Sequence, residues 1–306
     1  MKVALFGGTG FVGSYILKEL DKNSFDVNIL ARDKSKVAIK NSNVIIGNIS
    51  DEKSVRETLK DADIIIYNIG IIREFPKENI FYSELHFEGV KLCISLATEL
   101  NIKRFILMSA NGVKDNGTEY QTTKFMAEQE LKKTDLDWTI FRPSLIFGPT
   151  LHPNHPEFCK QLKDTMLNLP FPAPIFHEGL LPFNAGKFSM SPIHVQNVAE
   201  FFVSSIKDRK KIGKTYNLGG IKKMNWIEII DLISASSKKV KWKVPAPVIF
   251  IKLIASILDR FTWFPVTKDQ LTMLLEGNVV DEQYFEDFGI TPIEFNEQNL
   301  SYLHQK

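Results

Sequence analysis

A tyrosine and a lysine stand four residues apart in the segment YQTTK, as Tyr120 and Lys124. On a helix, two residues at this spacing lie on the same face. An ammonium group near a phenol favours the phenolate and lowers the pKa of the phenol, which could then exchange a proton with a substrate carbonyl or hydroxyl. Ser109, eleven residues before Tyr120, could hydrogen-bond to the same substrate oxygen. We therefore predict Ser109, Tyr120 and Lys124 as catalytic residues.

A glycine-rich segment, GGTGFVG at residues 7–13, follows an apolar run at residues 3–6 and opens a helical pattern at residues 11–20. Gly7 permits a tight turn, Gly10 lets the backbone approach a pyrophosphate, and Gly13 lets the helix pack closely on the sheet. The N-terminus of such a helix offers N–H groups and the positive end of its dipole to phosphates. The position of the motif in the first strand-to-helix turn predicts a dinucleotide site with contacts from Gly7, Thr9, Gly10, Phe11, Val12 and Gly13.

The end of the second predicted strand, at residues 27–31, selects between the two nicotinamide dinucleotides. A carboxylate there would bind the ribose 2′-hydroxyl of NAD, whereas an arginine would bind the 2′-phosphate of NADP. The strand is followed by Arg32, whose planar guanidinium suits bidentate phosphate binding. Asp33 is the next residue, and a shift of one position would bring its carboxylate to the ribose. The sequence favours NADP(H) and leaves NAD(H) open.

Further predicted cofactor contacts follow the third and fourth strands, at residues 44–46 and 63–67. Asn48 and Ile49 follow the third strand, near the expected adenine, and Asn68 and Gly70 follow the fourth strand, near the expected ribose. Ligands in parallel sheets bind at the carboxyl ends of the strands, which is where these loops lie. Lys124 could also bind the nicotinamide ribose.

Six apolar strand patterns alternate with helical patterns up to residue 141, which indicates βαβ units and a parallel sheet. We therefore predict an α/β fold, a doubly wound parallel sheet of the Rossmann type, with a smaller C-terminal lobe. The pattern changes near Gly148, which predicts a dinucleotide-binding domain at residues 1–150 and a substrate or partner lobe at residues 151–306. Residues 190–220 are predicted to return to the sheet.

Several segments together resemble one known group of proteins. They read GGTGFVG, HFEGVKLCISLA, FILMSANGV, YQTTKFMAEQEL, WTIFRPSLIFGP, SPIHVQNVAEFF, GKTYNLGG and WFPVTKDQLTMLLEGNVVD. The chain resembles the atypical and extended short-chain dehydrogenases and reductases, the superfamily of NAD-dependent epimerases and dehydratases. It is most similar there to proteins like the 39 kDa accessory subunit of respiratory complex I. The resemblance covers most of the chain.

The resemblance implies roles for the matched residues. Ser109, Tyr120 and Lys124 match the catalytic residues of the superfamily, and Arg142 and Pro143 match the motif that borders the nicotinamide. In the complex I relatives the bound NADPH is thought to be structural. One departure is the short loop at residues 110–119, which is about half as long as in sugar epimerases and puts a common contact of Ser109 and Tyr120 with substrate in doubt.

Three functions remain open at the level of sequence. The first is an NADP(H)-binding protein that either reduces a small carbonyl substrate or holds the nucleotide as a structural or redox-sensing element. The second is a nucleotide-sugar epimerase or dehydratase, although residues 150–260 show no clear arrangement of basic residues for a diphosphate. The third is a non-enzymatic assembly subunit or a subunit peripheral to a membrane.

Composition narrows the partners. The net charge of +2 gives no indication of nucleic-acid binding, and Cys93 and Cys159 have no metal-ligand spacing, which is typical of a reducing compartment. No metal site is predicted, and His152 and His155 are separated by a proline. The basic residues at 238–243 precede an apolar run at 248–261, which fits either a helix that packs on the core of the lobe after a solvated basic turn, or docking to an anionic membrane surface or to a respiratory complex. The expected location is the cytosol, including a cytosolic membrane face.

The Arg32 assignment can be tested on the purified protein. Denaturation followed by mass spectrometry should release NADP(H) from the wild-type chain at close to one molecule per chain, and Arg32→Ala should lose it, because the 2′-phosphate loses its charged partner. Release of NAD(H) from the wild type, or retention of NADP(H) by the variant, would contradict the assignment.

Overall fold

The computed structural model describes residues 1–37, 42–152, 155–168, 170–179, 181–249 and 267–304. Its strands are β1 (Lys2–Phe6), β2 (Asp26–Ala31), β3 (Ser42–Ile46), β4 (Ile64–Tyr67), β5 (Arg104–Met108), β6 (Asp137–Pro143), β7 (Ile146–Phe147), β8 (Ala173–His177), β9 (Ser189–Met190), β10 (Ile193–His194), β11 (Lys214–Leu218), β12 (Met224–Asn225) and β13 (Lys243–Pro247). Its helices are α1 (Phe11–Lys22), α2 (Glu52–Leu59), α3 (Gly89–Glu99), α4 (Glu119–Lys132), α5 (Phe158–Leu162), α6 (Val195–Ser204), α7 (Trp226–Ser236) and α8 (Lys268–Glu276).

Seven strands form one parallel sheet in the order β3-β2-β1-β4-β5-β6-β11. The order reverses between β1 and β4, so the predicted doubly wound Rossmann fold is confirmed. Helices α1 and α6 pack together on one face of the sheet, and α2, α3 and α4 cover the other. Consecutive residues of a strand point to opposite faces of the sheet, so Val3 packs into one core and Ala4 into the other. Because both kinds of position hold apolar residues, both faces of the sheet are apolar.

The sequence pattern for a long helix at residues 80–100 is interrupted at its start. Residues Ser83–Glu88 form a π-helical turn that runs directly into α3. The hydroxyl of Tyr67 donates a hydrogen bond of 2.7 Å to the carbonyl of Leu85. That carbonyl therefore has a partner outside the helix, which fits the wider turn at this point.

A third apolar core lies in the C-terminal half. Trp226 and Ile230 of α7 pack there with Phe176 of β8, Leu271 of α8 and Leu300. This lobe core is separate from the two cores of the Rossmann sheet. The C-terminal run also reaches back to the Rossmann sheet, since Phe285 packs in the core beneath α1 and α6. The last part of the chain therefore joins the lobe to the sheet.

Within the described part of the chain, no helix is long and apolar enough to cross a membrane. The apolar run predicted at residues 248–261 lies outside the described residues except for Val248, which is buried in the lobe core, and Ile249, which is exposed.

A buried arginine at the start of β5 offers a test of the packing. Arg104 donates hydrogen bonds to the carbonyl of Asp137 at 2.7 Å and, just beyond α6, to those of Ser205 at 2.8 Å and Ile206 at 3.4 Å. Arg104→Met should lower the free energy of unfolding by about 3 kcal/mol, because these carbonyls lose their partner. Urea denaturation measures the loss.

The matched control is Lys103→Met, since Lys103 comes directly before Arg104 but is exposed. It should change the free energy of unfolding by less than about 0.5 kcal/mol. Equal losses in the two variants would show that Arg104 does not hold α6 to the sheet.

Candidate functional site

The glycine-rich turn is built from contacts that exclude a side chain. Gly7 has φ +87°, and its carbonyl accepts a hydrogen bond of 3.1 Å from the N–H of Gly10. A Cβ at Gly13 would lie only 1.9 Å from that carbonyl oxygen, so the first turn of α1 can pack this closely only with glycine at position 13. The position fits the predicted role of Gly13 in close helix packing.

The outer side of this turn is open. A Cβ added at Gly10 would meet only the Gly7 carbonyl oxygen within 4 Å, at 3.5 Å. Gly10 precedes the first helical residues, Phe11, Val12 and Gly13, whose N–H groups are left without carbonyl partners by helix geometry. Thr9 is half-buried at the same turn. These features fit a pyrophosphate, although its contacts with these residues remain a prediction.

The residues predicted to contact the ribose and the adenine lie at the carboxyl ends of neighbouring strands. The Asn68 amide nitrogen is 3.4 Å from the Gly7 carbonyl oxygen, so the ends of β4 and β1 are joined. A Cβ at Gly70 would lie 3.3 Å from Lys124 Nζ. Asn48 is exposed, whereas the side chain of Ile49 is buried in the core, so only the backbone of Ile49 can face a nucleotide.

The two residues that follow β2 have different surroundings. The Asp33 carboxylate caps the short helical turn after it by accepting hydrogen bonds from the Ser35 N–H at 2.9 Å and the Ser35 hydroxyl at 2.7 Å. Arg32 is exposed at the carboxyl end of β2. This arrangement is consistent with the sequence-based preference for a 2′-phosphate and does not decide it.

Ser109, Tyr120 and Lys124 lie at the junction of β5 and α4. Lys124 is buried, its Nζ donates a hydrogen bond of 3.2 Å to the carbonyl of Met108, and it lies 5.8 Å from the centre of the Tyr120 ring. Tyr120 and Lys124 thus share a face of α4 as predicted. The Ser109 hydroxyl is buried and has no hydrogen-bond partner among the described residues.

Burial dominates the electrostatics of this junction. It raises the pKa of Tyr120 and lowers the pKa of Lys124 to about 8. The expected lowering of the Tyr120 pKa by the lysine is not found, because desolvation of the phenol acts in the opposite direction. The phenol is therefore a weak acid in this geometry.

Sequence analysis missed a histidine beside the tyrosine. His86 is buried in the π-helical turn, and its ring is perpendicular to that of Tyr120, with centres 5.2 Å apart. Its Nε2 accepts a hydrogen bond of 3.2 Å from the Ile71 N–H, and its Nδ1 lies 3.1 Å from the Thr123 hydroxyl. Burial and the nearby Lys124 lower the pKa of His86 to about 2, so the ring is neutral. It ties the loop after β4 to α4, and no motif in the sequence indicated this contact.

The side chain of Arg142 has a protein partner. Its Nε and terminal nitrogen donate two hydrogen bonds, of 2.7 and 2.5 Å, to the fully buried carboxylate of Glu128 on α4. The guanidinium therefore fixes α4 to the end of β6, which leaves the predicted nicotinamide contact to Pro143 and the adjoining backbone. Sequence analysis had not paired these two charges.

Three other histidines contact protein groups that stabilise the fold. His194 caps α6, because its Nδ1 accepts a hydrogen bond of 3.1 Å from the Gln196 N–H. Burial lowers the pKa of His194 to about 4. His152 and His155 pack edge to face, and within the described ranges no three His, Cys, Asp or Glu residues cluster as a metal site.

The fold and the glycine turn define a nicotinamide dinucleotide-binding protein of the Rossmann type. Residues 7–153 match the family model described as NAD(P)H-binding, which confirms the predicted class of cofactor. The preference between NADP and NAD is a separate question.

Similarity to individual proteins extends over nearly the whole chain. The chain is 24% identical to the mitochondrial NADH-ubiquinone oxidoreductase 40 kDa subunit of Neurospora crassa, over 98% of this chain and 78% of that protein. It is 21% identical to the UDP-glucose 4-epimerase of Vibrio cholerae, over 85% of each. The structure of the Thermus thermophilus UDP-glucose 4-epimerase with NAD superposes with a TM-score of 0.75, at 15% identity, covering 99% of this chain and 98% of that one. The predicted resemblance to complex I subunits and epimerases is confirmed.

The neutral state of His86 makes a prediction about acid stability. Its pKa lies below the unfolded value of about 6.5, so below pH 6.5 the unfolded chain binds a proton that the folded chain does not. The contribution of His86 to stability is therefore complete above pH 6.5 and is lost as the pH falls, by about 1.4 kcal/mol per pH unit. His86→Gln should remove this share of the slope between pH 6.5 and 4.5.

Urea denaturation across that pH range tests the expectation. His304→Gln is the control, because His304 is exposed near the end of the described chain and its replacement should leave the slope unchanged. An unaltered slope in His86→Gln would mean that His86 is protonated in the folded protein.

Proposed function

We propose that this chain is an NADP(H)-binding protein that holds its dinucleotide tightly, as a structural or redox-sensing element of a larger assembly. The proposal follows the likeness to the respiratory complex I subunits, and the observation that carries it is a cover over the nicotinamide side of the site. This cover, which we call the strap, consists of α8 and the residues that follow it up to residue 280.

The strap crosses the loops that follow β5 and β6. The side-chain oxygen of Asn278 accepts a hydrogen bond of 2.7 Å from the side-chain amide of Asn111. The backbone carbonyl of Asn278 accepts one of 2.6 Å from the Ser144 hydroxyl. The same carbonyl accepts a bond of 2.9 Å from the Ser191 N–H. Because these loops lie at the carboxyl ends of the strands, the strap closes the side on which a nicotinamide would lie.

Charged and polar side chains of α8 fasten the strap to α4 and to the loop after β4. Glu276 accepts hydrogen bonds from Lys114 at 2.7 Å and from Gln121 at 2.8 Å. Gln270 donates one of 3.1 Å to the carbonyl of Ile72. A dinucleotide beneath this cover can leave only if these contacts open, which favours retention over exchange.

The residues of the proposed site divide the binding work. The first turn of α1 binds the pyrophosphate with its N–H groups, and Arg32 pairs with the 2′-phosphate of NADP. Lys124 and the backbone at Gly70 hold the nicotinamide ribose. When bound, the nicotinamide supplies or accepts a hydride. The cytosol, including the cytosolic face of a membrane, remains the proposed location.

Reduction of a small carbonyl compound is the second candidate, and the Ser109 hydroxyl favours it. This buried hydroxyl has no partner among the described residues, and a substrate oxygen would satisfy it. Tyr120 would then donate the proton to that oxygen. Its raised pKa makes the phenol a slow acid near neutral pH, which places this activity second.

A nucleotide-sugar epimerase is supported by the likeness to the epimerases but not by the lobe. That reaction requires basic side chains that face a nucleoside diphosphate. Lys163 instead donates a hydrogen bond of 2.6 Å to the carbonyl of Leu303, and Lys211 donates one of 3.1 Å to that of Asp287. Both lysines are therefore engaged within the chain.

The retention proposal predicts the effect of opening the strap. Glu276→Ala should speed release of NADPH by roughly tenfold to a hundredfold, because two hydrogen bonds to a charged group are lost. The decay of NADPH fluorescence after dilution into excess NADP⁺ measures the rate. Glu57→Ala is the control, since Glu57 lies exposed on α2 and has a distant partner in Lys60 at 4.0 Å. Equal release rates in all three proteins would refute retention by the strap.

Tyr120→Phe separates the two leading functions. A structural holder should keep the same nucleotide content and show no turnover with small aldehydes and ketones before or after the change. A carbonyl reductase should lose at least about a hundredfold in kcat, because the proton donor is gone. Measurable wild-type reduction that falls in this way would replace the structural proposal with the enzymatic one.

A further inference from the structure

Several large apolar side chains are exposed on the two-stranded parallel ribbon of β8 and β13 and its flanking turns. We call this surface the ribbon surface. The exposed fractions of its apolar residues are Phe171 68%, Leu181 60%, Phe183 75%, Val240 94%, Trp242 81%, Val244 48% and Ile249 72%. A group of this kind usually marks an interaction site.

The hydrogen bonds of the ribbon place its exposed residues at both ends, since Gly186, just after the turn that carries Phe183, donates to the carbonyl of Phe176 at the end opposite Trp242. The strands pair in register from Lys243 with Ala173 to Pro247 with His177, and the N–H of Ala173 donates a bond of 2.7 Å to the carbonyl of Trp242. Phe171 and Trp242 therefore lie at the same end of the ribbon. The turn Pro182–Asn184, which carries Phe183, contacts both strands.

The inner side of the ribbon is already occupied. Phe176 of β8 stacks on Trp226 of α7 with ring centres 6.0 Å apart, and the Trp226 indole donates a hydrogen bond of 3.1 Å to the carbonyl of Pro174. Ala246 and Val248 pack against the same core. The exposed residues belong to the ends and the outer side, so the apolar surface is not left over from an unfilled core.

The ribbon surface carries positive charge. Its lysines are Lys238, Lys239, Lys241 and Lys243. Lys239 donates a hydrogen bond to the neutral side chain of Asn168, so this contact does not offset its charge. Against these lysines stand Asp231, which pairs with Lys243, and Glu178, which follows β8.

We propose that the ribbon surface docks the protein on an anionic phospholipid bilayer. Trp242, Phe183 and Phe171 are more than two-thirds exposed, so they project from the surface instead of lining a groove. Projecting aromatic and aliphatic side chains can enter the interfacial layer of a bilayer without a complementary shape, while neighbouring lysines attract anionic headgroups.

This proposal does not rest on the proposed dinucleotide function. It also differs from the sequence-based expectation, because it depends on the β8–β13 ribbon and its turns, of which the basic segment 238–243 and Ile249 alone had been singled out.

Vesicle co-sedimentation of the full chain tests the proposal. Wild-type protein should bind vesicles of equal parts phosphatidylglycerol and phosphatidylcholine, bind pure phosphatidylcholine vesicles several-fold more weakly, and lose binding as salt is raised. The double variant Phe183→Ser and Trp242→Ser should weaken binding at least roughly tenfold, because two apolar side chains no longer enter the bilayer. Lys238→Glu with Lys239→Glu should also weaken it roughly tenfold.

Met126→Ser is the matched control, because Met126 is an exposed apolar residue on α4, away from the ribbon. It should bind vesicles like the wild type. The thermal unfolding midpoint and nucleotide content of each variant show whether it is folded. Absence of wild-type binding to anionic vesicles, or equal binding by folded ribbon variants and the control, would overturn the proposal; capture by a protein partner alone would do so as well.

Discussion

The close contact between the first turn of α1 and the Gly7 carbonyl positions the rest of the site. Gly13, in the first turn of α1, lies so near the Gly7 carbonyl that a single methyl group would collide with it, and Asn68 at the end of β4 lies against the same atoms. This contact fixes the N-terminus of α1 at the gap between β1 and β4, where the strand order reverses. The open crevice and the unsatisfied N–H groups of the helix then coincide, which is why an anionic dinucleotide fits there.

The features that sequence could predict are those set by local rules. Apolar strand patterns that alternate with helical patterns predicted the parallel sheet, and the spacing of Gly7, Gly10 and Gly13 predicted the turn. Both follow from the geometry of a few consecutive residues. The pairing of Tyr120 with Lys124 followed in the same way from helix periodicity. What sequence could not predict are contacts between distant segments.

Glu128 and Asn278 illustrate the second group. Glu128 reads as an ordinary helix carboxylate until the fold brings Arg142 to it, fourteen residues later. Asn278 meets Asn111 across 167 residues. The first pair depends on how α4 packs beside β6 and the second on how the strap docks on the sheet, and no local pattern encodes either. The same reason explains why His86 was missed and why burial, not the neighbouring lysine, determines the pKa of Tyr120.

The lobe core connects the two surfaces that this structure proposes for binding. Leu271 of α8 packs in the same core as Ala173 and Phe176 of β8, so the base of the strap and the inner side of the ribbon share one set of contacts. A close-packed core transmits displacement because it contains few voids to absorb it. A bilayer that displaced the ribbon would therefore act on α8, and through it on the proposed cover of the dinucleotide site. Since binding linkage is reciprocal, occupancy of the dinucleotide site would change the affinity of the ribbon surface by the same factor.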